Sequence, residues 1–128
     1  MMIQTSTLIG PTLDWAVAMA LGLTNRKSNN GLDIVCFMGG HVWHAKHPNA
    51  WRLSNYSLFR PTTDWSIAGP IIDRENIWLT HNVAAGMHGA HYGDDIWFQK
   101  GNTPLIAAMR CFVLSKLGKE VYIPEGLT

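Results

Sequence analysis

Between Asp14 and Gly22 the chain runs through seven residues, WAVAMAL, without a polar one. Pro11 suits a first helical position, where its missing N–H costs nothing, and Gly22 suits a C-terminal cap. Leu13, Val17, Ala20 and Leu21 recur at helical spacing. Trp15 and Met19 lie on the side away from Leu13, so this helix is apolar all round. A helix of that kind is buried on every side.

A second helix is expected in NTPLIAAMRCFVLSKLGKE. Thr103 is a good N-cap, Pro104 takes the first helical position and Gly118 the end. Lys116 and Lys119 fall where the helix dipole favours cations. Arg110 shares its side of the helix with Thr103, Ala107, Leu114 and Leu117. A guanidinium in such company requires a carboxylate, a backbone carbonyl or an anion, or else snorkels outward.

The elements between are short. LTNRKSNNGLD (23–33) reads as a polar loop, with Asn-Asn-Gly as its turn signal. LDIVCFM (32–38) is a β-branched and aromatic run, read as a strand. GGHVWHAKHPNAWRLSNYS has no clean period and reads as irregular, with a short strand at 51–53. FRPTTDWSIAGPIIDREN (59–76) reads as a rigid, turn-built segment with a stop at Gly69-Pro70. NIWLTHN is a second strand, AAGMHGAHYGDD a glycine- and histidine-rich loop, DIWFQ a third strand, and Val121–Ile123 a closing one. The 128 residues form one domain, 1–128, of α+β class. Two main helices pack with a short-stranded, mostly antiparallel sheet and long irregular loops.

Charged residues make up only 15% and the net charge is +1, so the strongly basic footprint of a duplex-binding domain is missing. Cys36 and Cys111 lie in apolar runs and read as buried free thiols of a reducing compartment. No apolar run of about 20 residues and no signal pattern is present, which predicts a soluble intracellular protein. His41, His44 and His47 are spaced by three, as are His88 and His91, but in segments read as irregular and without a cysteine partner; no metal site and no cofactor is assigned. No nucleophile elbow, phosphate-cradling glycine loop or convincing carboxylate pair is present, so no catalytic residue is assigned and a non-enzyme is expected.

Binding is better supported. Six Trp, most of them expected in the core, stand with Arg52, Arg60, Arg74 and Arg110 as stacking platforms and planar anion forks. Near-neutral charge disfavours a nucleic-acid groove and leaves a small enclosed ligand.

LDWAVAMALG, PTTDWSIAGPIIDRE and TPLIAAMRCFVLSKLGKEV together resemble the phage NinX-like family, over about a third of the chain and in order. The matching positions are Asp14 and Trp15; Pro61, Thr63, Asp64, Trp65, Gly69, Pro70 and Ile72; and Thr103, Pro104, Leu105, Ala107, Met109 and Arg110. The resemblance implies a phage origin and action in the bacterial host's cytoplasm, and it supplies no catalytic residues. Combined with the residue reading, it leads to an expected accessory protein that binds a small nucleotide-like ligand as a homo-oligomer and sequesters a host immune signal. Arg60, Thr62, Thr63, Asp64, Trp65, Arg74 and Arg110 are its expected ligand-binding residues: Trp65 stacks, the arginines take phosphate, Thr62 or Thr63 takes a hydroxyl. The competing expectations are a protein–protein inhibitor of a host factor and an accessory to phage nucleic-acid processing.

Overall fold

A computed structural model describes residues 1–23, 34–45, 56–82, 86–92 and 98–127. Most of the expected polar loop, the strand at 51–53 and most of DIWFQ lie outside these residues. The fold is α+β. In chain order the elements are β1 (Met2–Gln4), α1 (Gly10–Ala20), β2 (Ile34–Met38), β3 (His41–Ala45), β4 (Tyr56–Leu58), α2 (Trp65–Glu75), β5 (Trp78–Asn82), β6 (Met87–His91), β7 (Gln99–Gly101), α3 (Pro104–Leu117) and β8 (Glu120–Tyr122). Among the described residues the strands form three small antiparallel sheets, ordered β1-β8, β2-β3-β4 and β5-β6-β7.

The two apolar helices behave as their composition requires. Residues 13–18 of α1 are all buried, and so are Leu105, Ala107–Met109 and Cys111–Leu114 of α3. The Thr103 hydroxyl caps α3 by accepting from the Ile106 N–H at 3.1 Å. Helix α3 lies at the centre, packed on α1, on α2 and on the β5-β6-β7 sheet. At Gly101 the sheet comes so close that a Cβ would stand 2.6 Å from the Ala107 nitrogen of α3. The second sheet covers α1, with Val35 and Val42 in the core and Phe37 edge-on to Trp15 at 5.5 Å.

Three sequence expectations are corrected. His41–Ala45, read as irregular, is a strand paired residue by residue with β2. Gly39 and Gly40 both have positive φ (61° and 78°) and make the two-residue turn that matches the twist of a hairpin. Met87–His91, read as loop, is the central strand of its sheet. The segment 59–76 is not built of turns throughout: from Trp65 it is an eleven-residue helix, and Pro70 lies inside it instead of ending it. Pro70 removes a single N–H from the ladder, and Gly69 before it has no Cβ to clash with the proline ring.

Candidate functional site

Helix α2 begins at Asp64, whose carboxylate accepts from the Ser66 N–H (2.9 Å) and hydroxyl (2.6 Å). Those bonds hold the Asp64 carboxyl below the usual range and set Trp65 at the first helical position. At the other end Asn76 adopts the left-handed conformation, the Ile77 N–H reaches back to the Ile72 carbonyl (3.0 Å), and the Asn76 N–H to that of Asp73 (3.3 Å). This is a Schellman stop, in which the buried Ile77 closes the helix end. The chain therefore folds straight back and delivers Trp78 beside the helix it has just left.

The result is a shallow cleft of about 360 Å³ lined by Trp65, Gly69, Ile72, Asp73, Asn76, Ile77 and Trp78. Trp65, Gly69, Ile72 and Asp73 follow one another at helical spacing along one face of α2, and Asn76 joins them from the left-handed cap. The space over the middle of that face is open, and a Cβ at Gly69 would meet nothing within 4 Å. The Trp65 and Trp78 side chains are 53% and 61% exposed, far more than indoles that serve packing alone. Asp73 and Asn76 add a carboxylate acceptor and an amide that both donates and accepts.

Beyond Trp78 the aromatic surface continues across the sheet. Its ring lies 6.0 Å from that of His91 on β6, and His91 lies 6.5 Å from Phe98 just before β7. Gly89 leaves room for this row, because a Cβ there would press on Phe98 at 2.9 Å.

The residues expected to bind ligand are dispersed. Trp65 lines the cleft, and exposed Arg74 follows cleft-lining Asp73 in sequence, its Nε 3.5 Å from Glu75. Glu75 in turn holds Lys116 (3.3 Å) and the Tyr92 hydroxyl (3.1 Å), and Tyr92 meets Ser115 at 2.9 Å. Burial works against the Glu75 carboxylate, but the bonds from Lys116 and Tyr92, the Lys116 charge and Arg74 outweigh it and keep the carboxyl below its ordinary range. The Tyr92 hydroxyl is pushed up to about 12, by burial first and by the Glu75 charge, against the opposing bond to Ser115. Arg110 donates from Nε to the Leu8 carbonyl and from Nη1 to that of Lys100, both at 2.8 Å. It joins the segment before α1 to β7, which resolves the question raised by its apolar neighbours in favour of backbone carbonyls. The guanidinium borders a different cleft, with Ser6, Met87, Phe98, Gln99 and Lys100.

Thr62 is buried, and its N–H donates to Asp14 Oδ1 at 3.0 Å. Asp14 is only 3% exposed, and burial pushes its carboxyl up to about 6 against the bonds from Thr62 and the charge of Arg60. This pair ties α1 to the turn before α2, where the Thr63 and Asp64 N–H groups both bond to the Arg60 carbonyl. Arg60 and Thr63 themselves are exposed.

Sequence reasoning missed Trp78, Asp73 and Asn76. The signal for them was a helix read through Pro70, which would have put Asp73 and Asn76 on the side of Trp65. The histidine spacing also reads differently on strands. His41 and His44, like His88 and His91, fall on opposite faces of β3 and β6, because strand side chains alternate. Among the described residues no three His, Cys, Asp or Glu side chains gather as a metal site. No helix among them is long and apolar enough to cross a membrane.

A comparison with curated proteins returned no match. Residues 4–116 match the family model described as Bacteriophage P22, NinX. The chain belongs to that family and is a phage accessory protein.

Proposed function

We propose that this NinX-family chain binds a small, nucleobase-bearing ligand in the Trp65–Trp78 cleft and holds it without altering it. The observation that carries the reading is the pair of exposed indoles, Trp65 and Trp78, lining one cleft with Gly69. Indole faces stack on planar bases, and such stacking contributes about 1–3 kcal/mol per base. Asp73 accepts only, so it favours a base edge rich in N–H donors, and Asn76 complements either pattern. Arg74, next to Asp73 in sequence, supplies a cation for a phosphate once it exchanges its Glu75 contact.

Acting in the host cytoplasm, a protein of this kind removes a nucleotide-derived host signal from circulation, and the reading includes no catalytic step. Assembly as a homo-oligomer belongs to the same reading. The exposed Met2 and Tyr122, cross-strand partners on β1 and β8, offer apolar surface for it. Light scattering on the purified protein reads the oligomer directly.

The binding test is calorimetry and tryptophan quenching with a panel of linear and cyclic nucleotides. One or more ligands bind the native chain, W65A and W78A each weaken binding by tenfold or more, and the ligand is recovered intact. A panel with no binder overturns the reading.

The Trp78–His91–Phe98 row favours a second reading, a short single-stranded nucleic acid laid across the sheet. Lys100 pairs with Gly89 in register and so stands on the same face. Salt-sensitive binding of an oligonucleotide, abolished by F98A and untouched by W65A, selects this reading over the first.

A further inference from the structure

Arg110 uses only part of its hydrogen-bonding capacity on the Leu8 and Lys100 carbonyls. A guanidinium carries five N–H donors, and those two bonds engage its Nε and Nη1 atoms. They fix the plane of the group and leave its charge uncompensated: among the described residues no carboxylate pairs with Arg110 or acts on it by charge. A half-buried cation held rigid, with donors to spare and no counter-charge, is suited to meet an anion.

The guanidinium borders a cleft of about 430 Å³ lined by Ser6, Met87, Phe98, Gln99, Lys100 and Arg110. Two of the six are cations, Ser6 and Gln99 add a hydroxyl and an amide, and none is acidic. Strand β7 is the edge of its sheet, and the Lys100 carbonyl that Arg110 reaches lies on its outer side. In a strand the N–H and C=O of one residue point the same way, so the Lys100 N–H adds a donor there. The same arrangement works against a peptide adding as a further strand, because Arg110 already covers the carbonyl that such a strand would use. We propose that this cleft binds an oxyanion of the phosphate class, with Arg110 as the central fork and Lys100 and Ser6 as flanking donors. An adjoining cleft of about 570 Å³, which also carries Lys119 and Glu120, shares Ser6 and Gln99 and leaves room for the organic part of a phosphate ester. The site has no lining residue in common with the Trp65–Trp78 cleft, so it stands whether or not that cleft holds a nucleobase.

The test is calorimetric titration of the full native chain, in chloride at fixed ionic strength, with inorganic phosphate and with ribose phosphate, which has no base to stack. Saturable binding is expected: a tighter ribose phosphate supports the site as one for an ester, and equal or weaker binding supports it as one for the free ion. K100Q and S6A, both at exposed positions, weaken phosphate binding by about tenfold and about threefold. R110K keeps the charge but loses the fork, and abolishes binding in a variant that circular dichroism shows to be folded; K100Q carries the test if R110K does not fold. W65A leaves phosphate binding unchanged, which separates this site from the nucleotide cleft. No saturable binding of either compound at tens of millimolar, or binding unaffected by K100Q or by folded R110K, overturns the proposal.

Discussion

Helices α2 and α3 touch each other, yet they follow different rules. Helix α3 keeps eight of its residues buried, while α2 buries only Ala68 and Ile71. Helix α3 has a hydroxyl cap and an uninterrupted ladder; α2 carries a glycine and a proline in its middle, both costly there. Packing accounts for nearly every side chain of α3 and for few of α2. What packing leaves unexplained on α2 (Trp65, Gly69, Asp73, Asn76) is the set that lines the cleft. Departure from good helix chemistry thus marks a surface shaped for contact with something else.

That contrast can be broken by mutation. F112A in α3 should cost about 3–5 kcal/mol of unfolding free energy in urea, as the loss of a fully buried aromatic does. W65A in α2 should stay within about 0.5 kcal/mol. Equal losses would mean that α2 is core after all.

The link between α1 and the turn before α2 gives the next effect, through pH. The Asp14 carboxyl sits near 6 in the fold against 3.8 ordinarily, so the folded chain holds a proton that the unfolded chain has released. Its contribution is fully present below about pH 4 and lost as pH rises through 6. Melting temperature in the native protein should rise as pH falls from 7.5 to 5, by an amount equivalent to about 1.4 kcal/mol, roughly half of the full effect reached below pH 4. D14N keeps an oxygen for the Thr62 N–H and should flatten that slope. A native profile that is already flat would show the carboxylate to be better solvated than its burial implies.

G101A comes third. A methyl group there meets the backbone of α3, and overpacking of this kind costs about 1–3 kcal/mol. G69A is the smallest effect on stability: a helix-propensity gain of up to about 1 kcal/mol is offset by the contact of the new Cβ with the Pro70 ring, for a net change close to zero. It should nevertheless weaken nucleotide binding by narrowing the cleft floor, a separation that thermal melts and calorimetry on one sample resolve. If G69A binds as the native chain does, the open face of α2 is not where the ligand sits.

Both apolar helices, their caps and the last strand were legible because composition alone places them: a run such as WAVAMAL has no stable exposed arrangement. The Gly39-Gly40 hairpin was missed because glycine pairs mark loops and tight turns alike, and the partner strand, HVWHA, alternates poorly. Helix α2 was missed for a different reason. Gly69-Pro70 signals a helix end locally, and only the Asp64 cap and the Schellman stop, acting at the two ends, outweigh that signal. Trp65 was legible as a candidate because it stands beside Asp64 in a turn-rich segment that also carries Arg60, Thr62, Thr63 and Arg74. Trp78 was not, since a Trp opening an apolar strand reads as core.

The ribbon of β1 and β8 has a consequence for how the molecule comes into being. Met2, Ile3 and Gln4 leave the ribosome long before their partners Tyr122, Val121 and Glu120. During synthesis the first strand has no companion, and the Thr5 hydroxyl and N–H must wait for Gly118 and Lys119. Sheet β2-β3-β4 closes from residues near in sequence, whereas this ribbon joins strands more than a hundred residues apart, a non-local contact of the kind that slows folding. Until it forms, α3 lacks its packing against β8, and the apolar central helix waits on the latest of its neighbours.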